Sequence, residues 1–475
     1  MEEILCDELL QEIFTRLPPS SGSVPMVSKR WLRLYRASKT SLSLRIDPRN
    51  GSVTTLLPSL LRHHPFVSAL SLVLSPLDRQ NQSSTAMAAF SEQTLSMVSS
   101  CCSNLRRLRF LIGPVSLTCL PSLSASSSVL TSLSLCLSRP VSFTWVAWFP
   151  CLKELSIYVC WRDCSDDKIG WNSPSGSCPN VDPALELGLE SVSLSGIGSN
   201  DSGVNWLWKS CRKMKRLRLK CCESVGDIAC FGLCLKNVEE MELRTCRSIV
   251  DVVLLKLSEN CDSLNSLLVY DGGSREGLVQ FMNNCRCNIQ KLDLRLPLDL
   301  NDDHLTAIAT NFRALSYLKL QSCCLVTGEG LKTLASSLSS SLEELSLVNC
   351  DAVERESGLL TTLGQHLVKL KKLELTYNES LPDKEFVSMV GSCRLLAELK
   401  LRGCKALTGA ALVCLIKSCE NLRSIDITDC RGIGAESVQT FLVNCPRLRR
   451  LAVEESKLTD DAKTWASAKF IQVVS

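Results

Sequence analysis

The sequence predicts an α/β solenoid, a chain of similar strand–loop–helix units stacked side by side. Two observations predict it. The spacing C-x-x-L-x-x-L-x-L-x-x-C begins at Cys393, Cys419 and again at Cys445, so its step is 26 residues (419 − 393). Between these segments, runs such as 410–418 place apolar residues at steps of three and four, which is the helical period. A fixed step of this size is typical of stacked-repeat architectures.

The L-x-L segment of each unit predicts a short strand. Side chains alternate along a strand, so the two apolar residues face the same side and the intervening x positions face the other. One unit alone leaves its apolar edges bare, and stacking the next unit buries them. The frame gives about fifteen units, because it recurs upstream of Cys393 at Leu370, Leu342, Leu315, Ile289, Leu264, Val238, Met214, Leu189, Leu152, Leu130, Leu105 and Val67.

These units resemble cysteine-containing leucine-rich repeats. The resemblance implies a horseshoe solenoid over residues 46–475, with parallel strands on the concave face, helices outside and an inserted loop near 158–188. Many of the 27 cysteines recur at the helix end or just after the strand. A small thiol packs well at such positions, so we expect reduced packing residues rather than disulfides or metal ligands. Repeat scaffolds of this kind predict a binding function, not catalysis.

Residues 1–45 do not fit the repeat. Apolar residues form one helical stripe from Leu5 to Leu17, and Pro18-Pro19 ends it. A second helical run follows from about residue 24 to 36. Two or three short helices are too few for a robust independent core, so the segment is expected to dock on something. The simplest alternative is a helical cap that seals the first repeat of a protein-binding scaffold unrelated to ubiquitin.

The run L-C-D-E-L-L-Q-E-I-F-T-R-L-P at 5–18, followed by V-S-K-R-W at 27–31, resembles an F-box. Cys6 replaces the usual proline and Ser28 the usual cysteine. With the repeats behind it, the chain resembles the plant-type F-box/leucine-rich-repeat proteins, substrate receptors of SCF ubiquitin ligases. The resemblance implies a Skp-type adaptor and a cullin as partners, no cofactor and no chemistry of its own. The positions that match the family's adaptor-binding pattern are Leu5, Leu9, Leu10, Ile13, Leu17, Pro18, Val27, Lys29 and Trp31, among which Leu10 and Trp31 are expected to anchor the adaptor.

Composition, charge and sequence motifs argue against several other classes of function. The chain has 475 residues, 45% hydrophobic residues and a net charge of +4, which gives no electrostatic case for nucleic acid or a membrane surface. No phosphate loop, H-E-x-x-H or G-x-S-x-G sequence is present. The acidic N-terminus lacks a signal peptide's basic start and apolar core, so a cytoplasmic or nuclear location is expected.

The x positions of the strands are candidates for contact with a protein substrate. Basic residues there could hold an acidic or phosphorylated segment, because arginine pairs bidentately with carboxylate and phosphate. The alternative is a solvated face of mixed charge. A small-molecule co-ligand, as in the auxin and jasmonate receptors that the chain resembles in plan, remains an alternative. We find no residue pattern in this sequence that matches their ligand pocket. The candidate substrate-binding residues are Arg216, Arg218, Lys220, Arg244, Lys291, Arg295 and Lys319.

Overall fold

The computed structural model of the protein describes residues 5–17, 23–48, 53–75, 84–160, 185–296 and 299–474. The chain divides into two compact units, Met1–Leu235 and Lys236–Ser475. In the described part, no helix is both long enough and apolar enough to span a bilayer. Most of the inserted loop predicted near 158–188 lies outside the described residues.

The first unit opens with two helices and continues as strands that are mostly separated by helices. In chain order its elements are α1 Asp7–Arg16, α2 Lys29–Ser38, β1 Ser41–Ile46, α3 Val53–Arg62, β2 Ala69–Leu74, α4 Ser84–Cys101, β3 Arg107–Val115, α5 Leu120–Ser126, β4 Ser132–Leu137, β5 Glu154–Val159, β6 Ser191–Ser195, α6 Val204–Ser210, β7 Arg216–Lys220 and α7 Ile228–Leu233.

The second unit repeats the strand–helix alternation more regularly. Its elements are β8 Glu240–Arg244, α8 Val250–Asn260, β9 Ser266–Tyr270, α9 Arg275–Asn284, β10 Lys291–Arg295, α10 Asp302–Asn311, β11 Tyr317–Gln321, α11 Gly328–Ser337, β12 Glu344–Val348, α12 Asp351–Arg355, α13 Leu359–His366, β13 Lys372–Glu374, α14 Asp383–Val390, β14 Glu398–Lys400, α15 Gly409–Ser418, β15 Ser424–Asp426, α16 Ala435–Asn444, β16 Arg450–Ala452, α17 Asp460–Ala468 and β17 Gln472–Val474.

Within each unit every strand pairs in parallel with the next, and the predicted frame sets the register. The first apolar residue of L-x-L lies beside its counterpart in the neighbouring strand. In the first unit this row runs Leu42, Leu70, Leu108, Leu133, Leu155, Val192, Leu217. In the second it runs Met241, Leu267, Leu292, Leu318, Leu345, Leu373, Leu399, Ile425, Leu451, Val473. The predicted α/β repeat architecture with parallel strands is confirmed.

Two strands lie outside the fifteen predicted frames. β1 begins at Ser41, inside the segment assigned to the helical domain, and β17 follows the last predicted frame. The alternation of 41–46 is a strand pattern that the F-box resemblance obscured. In β1 the residues Leu42 and Leu44 are only half-buried, whereas their counterparts in β2 are fully buried. Burial of apolar side chains therefore stabilises β1 less than it stabilises β2.

In several units the thiol that follows the strand links the unit to the preceding one. Cys404 donates to the carbonyl of Leu375 at 3.0 Å, and Cys430 donates to that of Leu401 at 3.0 Å. The residue before each such thiol has a left-handed backbone, as at Asp429 with a φ of 59°, which turns the chain out of the strand. The described cysteines are all free thiols.

Asn378 occupies this thiol position in the repeat that contains β13. Its amide nitrogen donates to the carbonyls of Leu347 and Leu375 at 2.9 and 2.8 Å, and its oxygen accepts from the Cys350 amide at 2.9 Å. The side chain is fully buried. Asparagine thus makes the same backward link as cysteine, with more hydrogen bonds.

Candidate interaction surfaces

Helices α1 and α2 enclose a small core of their own. Leu10, Phe14 and Leu34 are buried in it, and the ring centroids of Phe14 and Trp31 are 5.2 Å apart. The partly buried residues that pack against this core come from 5–35 as well. The helix pair is therefore held by its own apolar contacts.

Polar contacts fix the start of each helix, where Cys6 and Ser28 differ from the F-box pattern. Cys6 has a φ of −67°, the angle that a proline ring would impose. The Arg30 guanidinium bonds the Asp7 carboxylate at 2.6 and 2.8 Å, which ties α2 to the first turn of α1. The Ser28 hydroxyl accepts from the amide of Trp31 at 3.2 Å and so caps α2. Both helix starts keep an ordinary geometry.

Four large apolar side chains of this segment remain exposed. Leu9 and Ile13, four residues apart on one face of α1, are 53% and 44% exposed. Met26 and Val27, just before α2, are 84% and 58% exposed. Apolar side chains left in water by a segment with its own closed core mark an interaction surface. We call Leu9, Ile13, Met26 and Val27 the docking residues.

The predicted adaptor-binding residues separate into distinct environments. Leu9, Ile13, Val27 and Lys29 are exposed, whereas Leu5, Leu17 and Trp31 are half-buried. Leu10, predicted to anchor the adaptor beside Trp31, is 2% exposed, faces inward and packs the helix pair, so it is not among the docking residues. Pro18 lies outside the described residues. Sequence reasoning missed Met26, which belongs to no helical stripe.

The x positions of strands β3 to β7 form a basic and hydroxyl-rich face in the first unit. One row of the register runs Arg109, Ser134, Ser156, Ser193, Arg218. The next runs Arg107, Ser132, Glu154, Ser191, Arg216. The first row has three serines between two arginines, and the second has two serines and Glu154 between two arginines. We call this surface the serine face.

The chemistry of the serine face suits an anionic ligand. Arg107, Arg109, Arg216, Arg218 and Lys220 are exposed, and the Glu154 carboxylate lies 3.8 Å from the Arg216 guanidinium. Strands are about 4.8 Å apart, so the two arginine-bearing strands are separated by roughly 19 Å across the serines. The predicted residues of β7 are thus one side of a wider surface. Sequence reasoning missed Arg107, Arg109 and the serines because it examined only the strands from β7 onward.

The predicted cations of the second unit are mostly engaged with carboxylates. Arg244 pairs with Glu242. Arg295 bonds Asp293 at 2.6 and 2.7 Å, with Asp293 only 6% exposed. Lys291 is exposed. The face around these residues therefore has the mixed-charge character that was the alternative interpretation.

Lys319 belongs to a three-strand polar cluster. Its ammonium lies 3.2 Å from the Glu374 carboxylate, and the Ser346 hydroxyl donates to the same oxygen at 2.6 Å. Lys319, Ser346 and Glu374 share one row of the parallel register. Although burial opposes ionisation, the Ser346 hydrogen bond and the Lys319 charge lower the pKa of Glu374 below its ordinary value. The described residues contain no group of three or more histidine, cysteine or carboxylate side chains able to hold a metal ion.

A family match and a sequence relative agree with the repeat architecture. Residues 418–442 match the Leucine Rich repeat family. Over 201 residues the chain is 25% identical to F-box/LRR-repeat protein 4 of Bos taurus, covering 41% of this chain and 32% of that one. The crystal structure of the Rad7 and Elc1 complex in yeast aligns over 80% of this chain and 86% of that chain, with 16% identity and a TM-score of 0.47.

The parallel register and the matched segment define the fold as an α/β solenoid of the leucine-rich-repeat type. Within that class, the chain is similar in sequence to an F-box/LRR-repeat protein. It spans about a third of the length of that curated relative.

Proposed function

We propose that the protein is the substrate-recognition subunit of an SCF-type ubiquitin ligase. The helix pair α1–α2 binds a Skp-type adaptor that connects to a cullin, and the repeats bind a protein substrate. The observation that carries the proposal is that α1 and α2 close a core of their own yet leave Leu9, Ile13, Met26 and Val27 in water. A simple cap would instead cover its apolar residues with the first strands.

In this role the protein carries out no bond-making step. It holds a substrate lysine at high effective concentration near a charged ubiquitin-conjugating enzyme. A rigid stack of paired strands suits this task, because it fixes the distance between the two bound partners. The proposed location is the cytoplasm or nucleus, where thiols stay reduced.

The serine face is the proposed substrate surface of the first unit. Arginines at both ends of the serine rows favour a carboxylate- or phosphate-bearing segment, because a guanidinium pairs bidentately with either group. Serine side chains let an extended chain approach the strands closely. The paired cations Arg295 and Lys319 of the second unit are not included, because their carboxylate partners already neutralise them.

The adaptor contact is tested with a Leu9→Ala/Ile13→Ala double variant of the full chain. Covering each half-exposed side chain contributes about 1 kcal/mol, so we expect binding to purified Skp-type adaptor to weaken roughly 10- to 30-fold. Leu395→Ala/Val413→Ala is the matched control, because those residues are 48% and 45% exposed in the repeats. Equal affinities of the two double variants would reject the assignment of α1.

The substrate contact is tested by affinity purification under proteasome inhibition. The Arg109→Ser/Arg218→Ser variant extends the serine row at both ends and removes two charges without touching the core. We expect adaptor and cullin to be recovered as with the unaltered protein, while proteins stabilised by the inhibitor are lost. Recovery of the same stabilised proteins would exclude the serine face as the substrate surface.

A further inference from the structure

A cationic pocket lies at the start of the last strands of the second unit, away from the x positions of the strands. A cavity of about 370 Å³ is lined by Arg423, Pro446, Arg447, Leu448, Arg449 and Lys469. Four of these six side chains are cations and none is a carboxylate. The serine face belongs to the first unit and shares no residue with this pocket.

The backbone holds the lining segments side by side. The Arg449 amide donates to the Arg423 carbonyl at 2.8 Å, and the Gln472 amide donates to the Arg449 carbonyl at 2.8 Å. These bonds fix in one row the residues just before β15 and β16 and the first residue of β17. Their positions come from the sheet rather than from a mobile loop.

The charges of the pocket have no counter-ion in the described part of the chain. Arg447 donates to the amide oxygen of Asn421 at 2.5 Å. The Lys469 ammonium donates to the carbonyls of Leu442 and Val443 at 3.3 and 2.8 Å. Both partners are neutral groups. No described carboxylate lies within ion-pair distance of any of the four cations, in contrast to Arg295 or Lys319 in the same unit.

Two exposed aromatic residues lie beside Lys469, one in contact with its ammonium and one next to it along the chain. Lys469 lies 5.4 Å from the ring centroid of Trp465 on α17, which is 44% exposed. Phe470, the next residue along the chain, is 92% exposed. Lys469 therefore lines the cationic pocket and also contacts the exposed ring of Trp465.

Phe470 also has an unfavourable backbone. Its φ is 55°, and the Ile471 amide closes the end of α17 by donating to Ala466 at 2.8 Å. Glycine is the usual residue at this position of a helix end, and a residue with a Cβ is disfavoured there. The phenyl ring is not buried against the described part of the chain, so no apolar contact there offsets this backbone cost. Its conformational cost and its exposure are both explained if the ring contacts a partner.

We propose that this pocket binds an extended acidic segment of a partner protein, with carboxylates on the arginines and one apolar side chain on Phe470 and Trp465. Charge complementarity supports this occupant, since arginine pairs with carboxylate in a fixed bidentate geometry. Two strand spacings separate Arg423 from the start of β17, about 10 Å, which is the length of a few extended residues. The proposal does not depend on adaptor binding.

The test measures binding of the full chain to a fluorescent synthetic peptide rich in glutamate with one central phenylalanine. The same peptide with glutamine in place of glutamate, a single-stranded oligonucleotide and phosphatidylserine vesicles are the comparison probes. We expect saturable binding of the acidic peptide only. Tighter binding of the oligonucleotide or the vesicles, or no saturation by the peptide, would overturn the proposal.

Two variants locate the site. Arg447→Glu/Arg449→Glu should weaken peptide binding at least roughly tenfold, whereas Lys384→Glu/Lys417→Glu, the same charge change on helices of the second unit, should not. Phe470→Gly should weaken binding while leaving the melting temperature unchanged or raised, because glycine suits the left-handed position. Unaltered peptide affinity in both pocket variants would place the peptide elsewhere, and parallel losses of affinity and stability in Phe470→Gly would show a merely structural role.

Discussion

The buried pair of Lys319 and Glu374 allows the sharpest test of the packing of the second unit. Their side chains are 11% and 21% exposed and their charged atoms are 3.2 Å apart. At an effective dielectric constant of about 20, the attraction is about 5 kcal/mol. Desolvation of both groups offsets much of it, so we expect a net coupling of about 1–3 kcal/mol.

A double-mutant cycle measures that coupling. In Lys319→Met, Glu374 keeps the Ser346 hydroxyl at 2.6 Å and Lys400 at 3.9 Å, so we expect a loss of about 2–4 kcal/mol rather than the upper limit for an orphaned charge. Glu374→Gln is the second single variant, and the double variant should be less destabilised than the sum of the two. Urea unfolding of each protein gives the four free energies.

The exposed pair of Lys405 and Glu379, 33% and 55% exposed at 2.6 Å, is the control, with an expected coupling below about 1 kcal/mol. If the two couplings were equal, burial would not strengthen the pair and the reasoning would be refuted. Because the folded-state pKa of Glu374 is lowered, its contribution is present at neutral pH. This contribution to stability begins to decrease when the pH falls below about 4.5, the ordinary pKa of a glutamate. It is lost as the pH falls through the lowered pKa of the folded state.

Three further predictions concern single positions. Leu10→Ala should destabilise α1–α2 by about 2–5 kcal/mol and speed proteolysis within 5–38, whereas Leu9→Ala should change neither; equal proteolysis rates would contradict the core assignment. Burial lowers the pKa of His304 below 6.5, so the unfolded chain binds the proton first and the melting temperature should fall as the pH drops below about 6.5; a His304→Gln variant with the same pH dependence would exclude this histidine as its source. Asn378→Ala should cost about 2–4 kcal/mol, since it leaves several buried groups without partners, and Asn378→Cys should cost less; the reverse order in urea unfolding would show that the backward link is not what stabilises this position.

The repeat frame was predictable because a strand period and a helix period alternate at a fixed step. The register of every predicted strand follows from placing one leucine beside the next. β1 and β17 were missed for opposite reasons: the first has a clear alternation that the F-box resemblance obscured, and the second is only three residues long. A repeat pattern in the sequence therefore identifies the internal units more reliably than the first and the last unit.

The individual contacts were less predictable. Leu9 and Leu10 are neighbours on the same helical stripe, and a period of 3.6 cannot decide which of them faces the core. Lys319 and Glu374 are 55 residues apart, and only the parallel register brings them together across Ser346. Pairing of charges across strands depends on side-chain reach, which a one-dimensional pattern does not contain.

The buried thiols of the repeats also make a built-in reporter of local opening. Burial raises the pKa of Cys404 and Cys419 to about 12 and that of Cys393 to about 11, so in the native protein they resist alkylation, which requires the thiolate. Each becomes reactive only when its own coil separates from the stack. Brief labelling followed by mass spectrometry would therefore give the order in which the coils detach, without any introduced probe.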